Sequence, residues 1–325
     1  MQAGGFTVVG MTNAIEAENL VKLFGTHRAV DGVSLTVPTG AVYGVLGPNG
    51  AGKTTTVRML ATLLRPDAGS ARIFGHDVAS EATAVRSLVG VTGQYASVDE
   101  DLSATENLIV FSRLLGLSRK DSRRKSAELL EEFGLGEAAT KPLKKFSGGM
   151  RRRLDLAASL ISSPPLLFLD EPTTGLDPRT RVQMWDTIRR LVAQGSTVLL
   201  TTQYLDEADQ LCDRIAVIDR GKVIADGTAD ELKSSVGTSS LQLTLTDRTQ
   251  SESARSIVAT QLGVEVAISP ESGRLSAPMA TPSATPEILI RLRDNGIDVE
   301  EITVSKPSLD EVFMTITGHD TIEAA

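Results

Sequence analysis

A single cysteine, Cys212, stands among 325 residues, so no intrachain disulfide can form and a reducing compartment is the natural home. Its expected setting is a small buried apolar site near a helix end. No run approaches the roughly 18 to 20 apolar residues that span a bilayer. An excess of positive charge is also lacking, since 33 Lys and Arg against 41 Asp and Glu leave a net charge of -8. That balance argues against nucleic acid as a partner, because neutralising phosphates needs a basic surface. The three histidines, His27, His76 and His319, have no metal-ligand spacing with one another or with Cys212. Met1 to Gly10 lacks the basic and apolar stretches of a signal peptide and reads as part of a flexible extension over residues 1–13, with Met11 an equally good start. No internal repeat stands out. What remains is a protein that is cytoplasmic, or docked on a membrane by a partner.

The length suits two domains. From Ala14 to Gly237, apolar strand-like runs alternate with amphipathic helical stretches, which is the α/β pattern. Ala41 to Leu46, Leu166 to Leu169, Thr197 to Leu200 and Ile215 to Ile218 have the length and composition of strands buried on both faces. Leu102 to Ser163 carries no strong strand signal and reads as a mostly helical insertion. Ser, Gly and Thr dominate Lys233 to Ser240, which marks a boundary. Beyond it, residues 241–318 read as a small ferredoxin-like α+β domain, and 319–325 as a tail. Its expected strands are Leu241 to Leu245, Val264 to Ile268, Arg274 to Pro278 and Val299 to Val304. Its expected helices are Glu252 to Leu262, one capped by Thr285 with Pro286 at the first position, and Ser308 to Thr317.

Gly47-Pro48-Asn49-Gly50-Ala51-Gly52-Lys53-Thr54 fits G-x-x-x-x-G-K-[ST] between an expected strand and an expected helix. Glycines let backbone N–H groups turn inward around phosphate oxygens, and the helix N-terminus adds its positive end. Lys53 is placed to reach the β- and γ-phosphates of ATP, and the Thr54 hydroxyl to ligate Mg²⁺. Thr55 offers a further hydroxyl to phosphate.

Leu166-Leu167-Phe168-Leu169-Asp170-Glu171 is an apolar strand ending in two acids. Successive strand side chains point oppositely, so the two carboxylates can take different work. Asp170 suits Mg²⁺, directly or through water, and Glu171 suits the general base that polarises the attacking water. Between these motifs, Ser147 is an N-cap candidate for a helix through Arg151 to Leu160, and Gly148 and Gly149 expose backbone donors as a second anion site. Arg151-Arg152-Arg153 and Arg123-Arg124-Lys125 read as solvated or ion-paired helix faces.

With Phe146-Ser147-Gly148-Gly149-Met150 downstream of a phosphate loop, the chain resembles the ABC ATPases, whose signature is usually LSGGQ. The resemblance covers about Ala14 to Gly237 and implies a P-loop NTPase fold, with a mixed sheet core and a helical subdomain. It implies a homodimer enclosing two ATP molecules, each between one chain's phosphate loop and the other's signature. It also implies that Gln94 senses Mg²⁺ and the attacking water, that Asp177 of Gly175-Leu176-Asp177 lies at the dimer seam, and that Phe24 stacks on adenine. Two positions depart from the pattern. Met150 replaces the last signature residue, and Gln203 stands where the family has a switch histidine at the γ-phosphate. An amide there donates a hydrogen bond but cannot become cationic.

The tail Pro307 to His319, the stretch Gly93 to Glu100, Ser147 to Asp155 and Thr201 to Asp209 are similar to the ATP-binding subunits of daunorubicin/doxorubicin-resistance transporters. This implies a peripheral subunit on the cytoplasmic face of the cell membrane, paired with a separate ABC-2-type permease that exports a hydrophobic compound such as an antibiotic. The C-terminal domain then serves assembly or coupling, or only steadies the dimer. Two alternatives stay open: a non-transport ABC ATPase, and a nucleotide clamp of low turnover, the second motivated by Gln203. The long coiled-coil insertions or paired cassettes of the first are not visible, and Lys53, Asp170 and Glu171 argue against the second.

Overall fold

A computed structural model describes residues 12–92, 98–236, 239–269, 274–279 and 282–317. The expected N-terminal extension falls outside these residues as far as 11, and so do Gln94, Gly237 and the tail 319–325; Asn13 already belongs to the first strand. The chain divides into two compact units, Met1–Thr228 and Ala229–Ala325. The division thus comes before the Ser/Gly/Thr-rich stretch at Lys233 to Ser240, because the helix Ala229–Val236 packs against the closing helix of the second unit.

The first unit opens with two long antiparallel strands, β1 (Asn13–Phe24) and β2 (His27–Pro38), joined by a turn at Gly25. The strand β3 (Val42–Leu46) follows, then helix α1 (Lys53–Leu60), strands β4 (Ala68–Ile73) and β5 (His76–Asp77), helix α2 (Ala82–Leu88) and strand β6 (Val89–Thr92). An antiparallel sheet forms in the order β2-β1-β4-β5. Helices α3 (Ala104–Leu114), α4 (Arg119–Glu132) and α5 (Gly148–Ser159) make the helical insertion. Ser103 closes a full capping box with Glu106 at the start of α3, which fixes where that helix begins.

The chain then returns through β7 (Leu166–Asp170), α6 (Pro178–Ala193), β8 (Thr197–Thr202), α7 (Leu205–Leu211), β9 (Arg214–Asp219) and β10 (Lys222–Gly227). The central sheet runs β10-β9-β3-β8-β7-β6, parallel except at the β10 edge. Every residue of β3, β7 and β8 is buried, as expected for a sheet covered on both faces. Tyr43, Val45, Phe168 and Leu199 pack with the antiparallel sheet, while Val42, Leu167, Leu169, Val198 and Leu200 pack with the helical insertion. The six-stranded order sets the ends of β3, β8 and β7 side by side, with Leu46 opposite Thr202 and Asp170 opposite Thr201. Open sheets bind ligands at that carboxyl edge. Cys212 sits beneath β3, where a Cβ on Gly44 would lie 2.6 Å from its sulfur, and burial pushes its thiol pKa up.

The second unit begins with α8 (Ala229–Val236) and continues through β11 (Ser239–Leu245), α9 (Ser251–Leu262), β12 (Ala267–Ile268), β13 (Leu275–Met279), α10 (Thr285–Asp294), β14 (Val299–Ser305) and α11 (Leu309–Thr317). Its antiparallel sheet has the order β12-β13-β11-β14. With two helices between strands this is the ferredoxin-like β-α-β-β-α-β arrangement. Leu241, Leu243 and Leu245 face a core completed by Ala254, Val258, Ile288 and Leu292. Thr285 is not the cap it was expected to be. A 3-10 turn at Pro282–Ala284 runs straight into α10, and the Thr285 hydroxyl donates back to the Pro282 carbonyl. The strand expected over Val264 to Ile268 is only Ala267–Ile268.

Candidate functional site

The phosphate-loop motif folds between β3 and α1 as the sequence demands. Gly52 caps α1 with φ +106, a left-handed conformation that L side chains rarely adopt, and a Cβ there would meet the Ala29 carbonyl at 2.4 Å. Both facts require glycine. Gly47 N–H donates to Thr202 O at 3.3 Å, which ties the loop's start to the end of β8. Lys53 Nζ curls back to donate to Gly47 O at 2.7 Å and Pro48 O at 3.1 Å. It also lies 3.7 Å from Glu171 Oε1, with both side chains almost sealed from solvent. Burial pushes the Lys53 ammonium below its ordinary pKa, and the Glu171 and Asp170 carboxylates oppose that shift.

The two acids point in different directions. Asp170 Oδ1 accepts from Thr54 Oγ1 at 3.0 Å and from Thr201 Oγ1 at 2.6 Å. Glu171 turns toward Lys53, and Thr174 Oγ1 donates to its Oε2 at 3.3 Å. The Glu171 backbone has φ 48, the left-handed region, which costs a non-glycine residue about 1 kcal/mol or more. Its N–H donates to Thr201 O at 3.1 Å and to Thr201 Oγ1 at 3.0 Å, so the turn is held on its N–H side.

An open cavity of about 300 Å³ brings Phe24, Asn49, Gly50, Gly52, Lys53, Thr54, Thr55 and Glu171 together, along with His27 and Ala29. Phe24 ends β1 and is 48% exposed, so its ring is available to a ligand. Gly47, Pro48, Ala51, Asp170, Ser147, Gly148, Gly149, Asp177 and Gln203 do not line this cavity. No motif in the sequence marks His27 as ligand-facing. It pairs with Phe24 across the β1–β2 hairpin, and the strand pairing alone brings it to the rim.

Ser147 caps α5 by accepting from Met150 N–H at 3.2 Å, so the helix starts at Gly148, as the N-cap reading of Ser147 expects. A Cβ on Gly149 would lie 2.4 Å from Thr180 Cγ2, so the first turn of α5 is pressed against the first turn of α6. Asp177 caps α6, accepting from Thr180 N–H at 3.0 Å and Thr180 Oγ1 at 2.6 Å, and these bonds hold its carboxyl below the usual range. Gln203 lies in the half-buried bend between β8 and α7. The next residue, Tyr204, carries the Arg181 guanidinium 4.5 Å from its ring centroid. Fully buried Glu207 accepts from Thr173 Oγ1 at 2.8 Å and Trp185 Nε1 at 3.1 Å, and burial pushes its carboxyl pKa up.

The three arginines of α5 correct the expectation of one solvated or ion-paired face. Arg151 does pair with Glu100 at the surface. Arg152 turns inward to the backbone after β7, and Arg153 donates to Phe133 O at 3.0 Å. A run of like residues on a helix cannot reveal which members meet the neighbouring elements.

A phosphate-binding loop after β3, two acids at the end of β7 in the same sheet and a signature helix capped by Ser147 define an ATP-binding cassette of the ABC transporter class. Residues 30–174 match the ABC transporter family model, and residues 227–317 match the C-terminal domain of DrrA1-3-like ATP-binding proteins. A nucleotide-free ATP-binding cassette from an ABC transporter superposes with TM-score 0.63 at 26% identity, covering 68% of this chain and 94% of that one. The daunorubicin/doxorubicin resistance ATP-binding protein DrrA of Streptomyces peucetius is 56% identical over 95% of this chain and 93% of its own length. The doxorubicin resistance ATP-binding protein DrrA of Mycobacterium tuberculosis is 44% identical, covering 95% of each chain. This chain belongs to the family of daunorubicin/doxorubicin-resistance ATP-binding proteins, and it is an ABC transporter ATP-binding subunit. No helix among the described residues is long and apolar enough to cross a membrane.

Proposed function

We propose that the chain hydrolyses Mg-ATP as a homodimer and drives export of a hydrophobic compound, an antibiotic or a related molecule, through a separate ABC-2-type permease. The subunit works at the cytoplasmic face of the membrane, held there by the permease. The relatives named for daunorubicin and doxorubicin resistance support the cargo class. One observation carries the hydrolysis reading: Lys53 and Glu171 share the cavity that the phosphate loop lines.

Thr54 and Asp170 fit Mg²⁺, because they present a hydroxyl and a carboxylate oxygen 3.0 Å apart, both hard donors. A metal held by few protein ligands leaves positions for water and phosphate oxygens, and Mg²⁺ bound there neutralises phosphate charge. Phe24 stacks on the adenine at the open rim. The Gly50, Gly52 and Thr55 backbone and hydroxyl donors grip the phosphates, and Lys53 leaves the Gly47 and Pro48 carbonyls to reach the β- and γ-oxygens. Glu171 takes a proton from the attacking water as the water oxygen bonds to the γ-phosphorus, and ADP leaves with the electron pair of the broken bond to the β–γ bridging oxygen. Gln203 donates its amide to the γ-phosphate in place of an imidazole, and Gln94 senses the metal. Ser147, Gly148 and Gly149 of one chain close on the nucleotide of the other, with Asp177 at the seam. We assign residues 14–237 to nucleotide binding, following the motifs, and 241–318 to assembly or coupling.

ATP turnover by the full chain with its permease tests this reading. Glu171→Gln is expected to lose turnover while an ATP-bound dimer accumulates. A native protein and permease that together turn over no ATP overturn it.

A further inference from the structure

Arg152 lies in the second turn of α5, close behind the signature glycines, yet its side chain is only 14% exposed. Its guanidinium reaches across to the segment that follows β7. Nη2 donates to Asp170 O at 2.6 Å and to Glu171 O at 2.7 Å, while Nε donates to Pro172 O at 3.0 Å. One planar fork therefore gathers three successive carbonyls, a geometry that a lysine cannot reproduce in full. Asp155, one turn further along α5 and 8% exposed, has its Oδ2 3.9 Å from Arg152 Nη1 and balances the buried charge.

The three carbonyls are those of the turn in which Glu171 holds its left-handed backbone. A conformation of this kind persists only where its surroundings over-determine it. Thr201 holds the N–H of Glu171, and Arg152 holds its C=O. Between them they set the direction in which the Glu171 carboxylate leaves the backbone, toward Lys53.

We propose that Arg152 is the positioning residue for Glu171, and that it joins the signature helix to the general base of the same chain. The inference rests on the reading of Glu171 as the base. In the dimer, the signature helix of each chain reports on the nucleotide held by the other. Arg152 then carries the state of one site to the acid of the second through three hydrogen bonds. Movement of α5 pulls the carbonyls, and the carboxylate follows.

The test compares Arg152→Met and Arg152→Lys with the native full chain, with turnover expressed per nucleotide-binding site to remove any misfolded fraction. Arg152→Met keeps an unbranched stem as far as Cε and loses every donor. It is expected to lower kcat by about 10- to 100-fold, the range of a displaced general base. KM and the affinity for ATP stay within about threefold, because Lys53 and the phosphate loop are untouched. Arg152→Lys keeps the charge and one or two of the bonds, and it recovers part of kcat. Hydrogen exchange gives a second measure that needs no turnover, with peptides covering 170–176 exchanging faster in Arg152→Met and peptides covering 42–60 unchanged. A kcat within twofold of native in Arg152→Met overturns the proposal, as does a fall in kcat matched by the same loss of ATP affinity. Should the native chain fail to turn over ATP, the reading of Glu171 falls. Unaltered exchange at 170–176 would then overturn the Arg152 clamp itself.

Discussion

Lys53 Nζ and Glu171 Oε1 face each other across 3.7 Å, with the side chains 4% and 7% exposed. Two opposite charges in so dry a place compensate each other, and removing one strands the other. Lys53→Met is therefore expected to destabilise the nucleotide-free chain by about 3 kcal/mol, the usual cost of an unpaired buried charge. Lys53→Met combined with Glu171→Gln should recover part of that loss, since the Glu171 charge is no longer stranded and Asp170 keeps the Thr54 and Thr201 hydroxyls as donors. Denaturant unfolding of the two variants checks it; a double variant no more stable than the single one would mean the pair is not coupled.

The bend at Gln203 carries an amide that does not ionise. Native turnover should therefore show no step with a histidine-like pKa near ~6.5 from this position, whereas Gln203→His should gain one. Gln203→Ala should slow turnover about tenfold or more, in line with losing a donor to developing charge. Unchanged turnover in Gln203→Ala means that the amide does nothing.

Gly149 faces Thr180 so closely that one methyl group decides the fit. Gly149→Ala should cost about 1–3 kcal/mol through overpacking of α5 on α6. Adding Thr180→Ser removes Cγ2 and keeps the hydroxyl that donates to Asp177, so most of the loss should return. Equal instability of single and double variants would locate the strain elsewhere.

Glu207 makes a pH-dependent contribution. Its folded pKa lies above the unfolded value because burial disfavours the charge. Stability from this group is full below the ordinary carboxylate range and is lost as pH rises through the raised value. Glu207→Gln keeps an oxygen for Thr173 and Trp185 and has no proton to lose. Its Tm relative to native should rise as pH climbs from the ordinary carboxylate range through the raised pKa of Glu207. A constant difference would mean that Glu207 titrates as it does in the unfolded chain.

Much of this architecture is written in local pattern. The phosphate loop, the apolar strand ending in Asp170 and Glu171, and the Ser147 cap each depend on neighbours within a few residues, so their spacing reveals them. The β2-β1-β4-β5 sheet is hidden for a physical reason. Asn19 in β1 takes φ 49, and the register with β2 shifts at several points along the strand. Each shift breaks the two-residue alternation that marks a strand. The inward turns of Arg152 and Arg153 depend on where β7 and the end of α4 lie, and no spacing within α5 encodes that. The unit boundary falls at Thr228 because α8 (Ala229–Val236) finds its partner in α11 (Leu309–Thr317), far along the chain, and no local pattern encodes that pairing.

Cys212 gives the molecule a practical property. The thiol is pressed beneath Gly44, and its raised pKa keeps it from forming the reactive thiolate. Maleimide or spin-label reagents should therefore find the native chain nearly blank. A cysteine introduced at one chosen surface position becomes the single reporter, and distances in the proposed dimer can be read without first stripping the protein of its own sulfur.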